Sequence, residues 1–283
     1  MRILVVFLVF SLSMGAQGIY NAKITDASKK EGIPFASIGI KGKNIGTVAD
    51  EKGDFVLTIL KCEEDDTLKV SAIGYKTKGF TVSEARQSMS KVILLEPLVV
   101  KLNEVVITSK KVKRKVLGTL KYSTRNCTAF MGTDGNWKGE EAAIRAHNEK
   151  GKSVFIEDFN FYIIQNKCED SLIFRLMLYS VNSKNLPGET FLKKPVVFKT
   201  AVKQGVVHID LKKYNIVYDD DFFISLECLM DKMDYTKFCF AGSINVYSYV
   251  KNSTFGNWYQ PGNSHGRKAG GGADLNVTVS YLK

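Results

Sequence analysis

From Ile19 to about Pro97 the apolar positions recur at a period of two over short runs, and turn residues cut the runs apart. "IYNAKIT" alternates loosely, and in "PFASIGIKG" Phe35, Ser37 and Gly39 oppose Ala36, Ile38 and Ile40. Asp50-Glu51-Lys52-Gly53 predicts a hairpin turn, because an Asp side chain bonds its own backbone and Gly takes the positive φ that closes the turn. Phe55, Leu57 and Ile59 follow at period two and predict a strand with one buried face. "TLKVSAIGY" repeats the device and "SKVILLEP" closes the unit. Seven short strands in about 80 residues, without a convincing long helix, predict a small β-sandwich.

The block Lys110–Lys115, "KKVKRK", breaks this pattern. Like charges in a row repel and stay solvated, so residues 99–117 read as a strand-like segment followed by a basic linker. Past it, Leu120 to about Glu149 is the least regular stretch, and Glu140 to His147 reads as a short helix. Strands then resume in "SVFIEDFNFYII", "LIFRLMLYSV", "KPVVFKT", "VVHIDL", "YNIVY", "FFISLECLM", "KFCFAGSINVYSYV" and "DLNVTVSYL". Residues 118–283 therefore predict a second, jelly-roll-like sandwich, and the fold class is all-β.

The order "GIPFASI", "GTVADEKGDF" and "LKVSAIGYK" resembles the carboxypeptidase-regulatory-like domain, a transthyretin-like β-sandwich of many Gram-negative envelope proteins. The likeness runs from Ile19 to about Thr108 and places the domain itself at residues 19–98. It includes "LNEVVITS" (102–109), which resembles the strand leading into the plug of TonB-dependent receptors. No plug follows, and the remaining chain is too short for the barrel of such a receptor. The second unit is similar to envelope proteins with the same two-domain layout. That similarity implies architecture and location, and no activity.

The first residues change the picture of compartment. Arg2, the apolar run Ile3–Leu12 and the small residues Ser13, Gly15, Ala16 and Gly18 predict a signal peptide over 1–18. The run is shorter than the roughly 20 residues a bilayer needs, so the expectation is an exported chain of the periplasm, outer membrane or cell surface, without a transmembrane segment. The basic character is largely local, since five of the basic residues behind the net charge of +11 crowd into Lys110–Lys115. That block, with Leu102, Val105 and Ile107, is a candidate segment for docking on a partner or an anionic envelope surface. Nucleic acid is not an expected partner. Five cysteines leave at least one unpaired. Cys228 and Cys239 could face each other across a hairpin, but buried free thiols are the favoured reading, and the pairing is left open.

Little in the chain looks catalytic. Only His147, His208 and His265 are present, and Lys150 stands where an HxxE zinc motif needs Glu, so no metal or cofactor is expected. "GNSHG" (262–266) matches a nucleophile elbow in letters, but Gln-Pro precedes it, no helix follows, and its only later His, His265, adjoins the Ser. Asp219, Asp220 and Asp221 read as a solvated turn, with calcium binding left open. Three residues are candidate binding groups. Trp258 and Tyr259 lie among amides in "GNWYQPGN", a composition suited to sugar or peptide contact. Arg175 lies within "LIFRLMLY" and needs a partner if buried, with Glu227 a comparably placed acid. The expected function is a non-enzymatic exported envelope protein that binds or scaffolds a glycan, protein or surface. The alternative is a hydrolase acting on glycans, for which Asp158, Asp210 and Glu227 are the available carboxylates.

Overall fold

The computed structural model describes residues 18–59, 61–88, 91–98, 113–130, 137–231, 236–244, 246–261 and 272–281. The signal segment, "LNEVVITS", Lys110, Lys111 and "GNSHG" lie outside them, apart from Gly18.

The first unit forms from β1 (Gly18–Asp26), β2 (Ser37–Ile40), β3 (Gly46–Val48), β4 (Asp54–Ile59), β5 (Thr67–Ser71), β6 (Lys78–Thr81) and β7 (Val92–Leu95), with one short helix, α1 (Val82–Gln87), before β7. Two sheets, β4-β1-β7 and β3-β2-β5-β6, enclose a core that includes Ile24, Ile38, Leu57, Leu68, Val70 and Ile93. The predicted hairpin turn is present: Asp50 Oδ1 accepts from the Lys52 and Asp54 N–H groups, and Gly53 takes φ +84°. Phe55, Leu57 and Ile59 point inward as their period requires.

The second unit comprises β8 (Arg114–Gly118), β9 (Cys127–Thr128), β10 (Glu141–Ala146), β11 (Val154–Asn166), β12 (Leu172–Val181), β13 (Pro187–Thr190), β14 (Val196–Thr200), β15 (Gly205–Asp210), β16 (Val217–Tyr218), β17 (Phe222–Cys228), β18 (Phe238–Ser243), β19 (Tyr249–Lys251), β20 (Gly272–Ala273) and β21 (Leu275–Tyr281). One sheet runs β13-β12-β17-β10-β19, with β14 also on β12. The other runs β20-β18-β11-β21-β8, with β15 and β16 on β11 and β9 on β18. Phenylalanines of both sheets interlock between them: Phe161 meets Phe174 edge-on at 5.9 Å between ring centroids, and Phe174 meets Phe238 at 5.7 Å. The chain is all-β and built from sandwiches, as its periodicity predicts.

Three expectations give way to the structure. Glu140–His147 is not a helix; Glu141–Ala146 is strand β10, hydrogen-bonded between β17 and β19. Both faces of that strand are covered, so burial does not alternate along it and the segment reads as well as a helix. Arg114–Leu117 is not linker but part of β8, paired with β21 from Arg114↔Ser280 to Gly118↔Asn276. Its charges do not repel it into solvent because acids meet them: Arg114 Nε lies 2.9 Å from Glu157, while Lys113 and Lys115 lie 3.3 and 3.7 Å from Glu149. Finally, the disulfide joins Cys127 and Cys239, not Cys228 and Cys239. Cys228 belongs to the sheet of β17 and Cys239 to that of β18, so the two are not hairpin partners. Burial pushes the Cys228 thiol far above its usual range, which leaves it inert.

Candidate functional site at the domain interface

Side chains alternate across a strand, so one face of the β12-β17-β10-β19 sheet collects every second residue. Along that face Arg175, Glu227, Glu141 and Lys251 stand in direct cross-strand register. The row reads cation, acid, acid, cation. Two adjacent carboxylates would repel, and each is held by the cation on its outer side. Arg175 forks onto Glu227 with Nε–Oε2 of 2.5 Å and Nη2–Oε1 of 2.8 Å. Lys251 Nζ lies 2.5 Å from Glu141 Oε1. Glu141 also accepts from the Tyr179 hydroxyl at 2.8 Å and the Ser225 hydroxyl at 2.9 Å. Burial pushes the Glu227 carboxyl upward; Arg175 opposes this, and the charge on Glu141 reinforces it. Burial, with Glu141 beside it, raises the Tyr179 hydroxyl well above its usual value and keeps it a neutral donor.

The first unit seats on this face. Arg175 Nη1 donates to the Phe35 carbonyl at 2.6 Å and Nη2 to Ser37 Oγ at 2.9 Å. Beyond β19, the Thr254 hydroxyl lies 2.6 Å from the Ile38 carbonyl and 3.2 Å from that of Thr47. Thr254 can approach so closely because Gly39 and Gly46 face each other in the β2–β3 register and present bare backbone. A Cβ on Gly39 would stand 2.6 Å from the Thr254 carbonyl oxygen, and one on Gly46 would collide with Thr254. A Gly42 N–H to Phe255 carbonyl bond of 2.9 Å and a Lys199–Glu51 ion pair of 2.7 Å extend the contact.

Between the units lies a cleft of about 410 Å³. Glu141, Arg175, Tyr179, Lys251 and Trp258 line one wall, and Ser37, Lys69, Ser71 and Tyr75 of the first unit line the other. Trp258 packs edge-on against Tyr179, with ring centroids 5.7 Å apart, and Lys251 Nζ sits 4.8 Å from its ring centre. A wider groove of about 730 Å³ runs past β1 and β4, where Lys23, Lys138, Asp54 and Asp231 already pair with one another.

Two of the three candidate residues meet here. Arg175 is buried on Glu227, the partner its sequence position suggests, and Trp258 lines the same cleft. Tyr259 does not: it is exposed, bridged to Val250, and donates to Asn252 Oδ1 at 2.7 Å. Of the alternative carboxylates, Asp158 and Asp210 oppose each other across β11 and β15, on the sheet that does not carry Glu227. Asp221 bonds Arg145, His147 and the Asn148 N–H, while Asp219 and Asp220 are exposed. Among the described residues no group of three or more His, Cys, Asp or Glu side chains is placed to hold a metal ion. Sequence reasoning missed Glu141 and Lys251. The available signal was Glu141, Ala143 and Arg145 at period two, visible only if "EAAIRA" is taken as a strand.

Residues 21–107 match the family model of the CarboxypepD_reg-like domain, which supports the reading of the first unit. No curated protein matches the chain. Among solved structures, a chain of the T13 IBDV viral particle aligns at 8% identity with a TM-score of 0.27. The alignment covers 93% of this chain and 57% of that one, so this chain spans less than two thirds of its length. A likeness of that size carries no argument. The chain thus joins a sandwich that matches the CarboxypepD_reg-like domain over residues 21–107 to a second β-sandwich through a polar interface.

Proposed function

We propose that the chain is a non-enzymatic exported envelope protein, a binding or scaffolding module whose second, jelly-roll-like sandwich engages a glycan, protein or surface partner. The observation that carries this reading is the state of the two carboxylates at the cleft wall, Glu141 on it and Glu227 buried behind it. Lys251 and the Tyr179 and Ser225 hydroxyls hold Glu141, and the Arg175 fork holds Glu227. A glycosidase needs two carboxyls flanking the scissile bond, about 5–9.5 Å apart, with one able to give up a proton. Here both are engaged by side chains of their own sheet, and Trp258 contributes an aromatic ring to the lining of a preformed cleft.

Export is supported by the short apolar N-terminal run and by the Cys127–Cys239 disulfide, since disulfides persist in oxidising compartments. No helix among the described residues is long and apolar enough to cross a membrane. Attraction to an anionic surface through Lys110–Lys115 is a weaker part of the proposal, because Lys113, Arg114 and Lys115 already face Glu149 and Glu157. The test is binding of purified signal-processed protein to envelope polysaccharide and envelope protein fractions, with Trp258→Ala beside the wild type. Saturable binding that weakens in the variant is expected. Generation of new reducing ends would overturn the non-enzymatic reading.

A further inference from the structure

The second sandwich has two outer faces, and the first unit covers only one. On the other, β15, β11, β21 and β8 bring His208, Asn160, Asn276 and Gly118 into one cross-strand row. The next row is Asp210, Asp158, Thr278 and Val116. Tyr162 lies one step further along β11, opposite Val206. The segment after β8 brings Tyr122 to within 5.9 Å of Tyr162, ring centroid to centroid. His208, Asp210 and Val206 are exposed, and Asn160, Asp158, Tyr162 and Tyr122 are half-buried.

The polarity of the first row follows from one backbone carbonyl. The Thr119 carbonyl can only accept, and Asn276 Nδ2 lies 2.9 Å from it and 2.8 Å from the Tyr122 hydroxyl oxygen. Asn276 Oδ1 is therefore the acceptor, facing Asn160 Nδ2 at 3.2 Å. Asn160 Nδ2 also donates to Asp158 Oδ1 at 2.6 Å, which turns Asn160 Oδ1 toward His208 Nδ1 at 2.7 Å. Nδ1 must carry the proton, so in the neutral ring Nε2 is an acceptor. At the other end Tyr122 accepts from Asn276 and keeps its O–H to donate. The chain of bonds thus fixes an acceptor and a donor at opposite ends of a half-buried polar row, beside two carboxylates and two tyrosine rings.

We propose that this sheet face is a binding site for a neutral glycan, an inference that rests on the reading of the chain as a binding module and assigns it a site apart from the cleft. Sugar hydroxyls both donate and accept, which matches fixed amide, imidazole and carboxylate groups. Tyrosine rings give the apolar faces of a sugar low-entropy contact area. The two rows contain no Lys or Arg, and Asp158 with Asp210 would repel a polyanion.

The test is affinity electrophoresis of the purified processed protein through gels containing dextran, mannan, xylan or laminarin, with alginate as the polyanionic counterpart. At least one neutral polymer should retard the wild type. His208→Ala and Tyr162→Ala should each weaken retardation about tenfold at an unchanged melting temperature, while Ile19→Ser, an exposed change on the first unit, behaves as wild type. Retardation by none of the neutral polymers, by alginate alone, or equally in both variants would overturn the site. Retardation lost in Trp258→Ala but kept in the two variants would move the glycan to the cleft, overturning this inference and leaving the binding-module reading. Release of reducing ends would remove that reading instead.

Discussion

Arg175 donates to both units at once, so its loss is felt twice. Replacing it with Met leaves Glu227 buried beside Glu141 with no cation of its own, and removes two bonds to the first unit. Breaking a buried pair from one side costs about 3–5 kcal/mol, a fall on the order of 10 °C in melting temperature for a domain this large. Changing both partners, Arg175→Met with Glu227→Leu, should recover most of that loss. A single variant that melts like the wild type would show that the pair contributes nothing. This pair was legible in the sequence because a charge inside an apolar run stands out. Glu141 was not, since its neighbours are buried on both faces and "EAAIRA" satisfies a helix as well as a strand.

Among the elements, β9 is only two residues long and is held by pairing with β18 and by the Cys127–Cys239 disulfide. The bond closes a loop with a sequence separation of 112, worth about 4–5 kcal/mol in the chain-entropy picture. Cys127→Ser with Cys239→Ser should lower stability by that order in denaturant titration, whereas Cys228→Ser should leave the disulfide intact. Alkylation and mass analysis of the unreduced protein checks the pairing directly, and a Cys228-containing bridge would contradict it. The link could not be read from spacing, because a long-range pairing leaves no local trace. The strand β8 was hidden for a different reason. Its basic run reads as solvated linker until Glu149 and Glu157, contributed by a distant part of the chain, are placed beside it. The period-two strands of the first unit needed no such partners, which is why they were legible throughout.

On the scale of the whole molecule, the interface joins the two sandwiches through buried charge and close backbone contact. One calorimetric transition is expected for the wild type. Gly39→Ala, which pushes a methyl into Thr254, should separate it into two, with the lower transition displaced by several degrees. A single unchanged transition would mean that the units do not depend on this contact. The outward face proposed for glycan binding was not legible at this scale, since polar residues at alternate positions are what any solvated strand shows. The measurement that bears most directly on function is binding and turnover read in one sample. Purified processed protein is titrated with envelope polysaccharide while reducing ends are followed over hours. Saturable binding with no rise in reducing ends is the expected result. A rise that scales with protein concentration would contradict a binding module and make the chain a hydrolase.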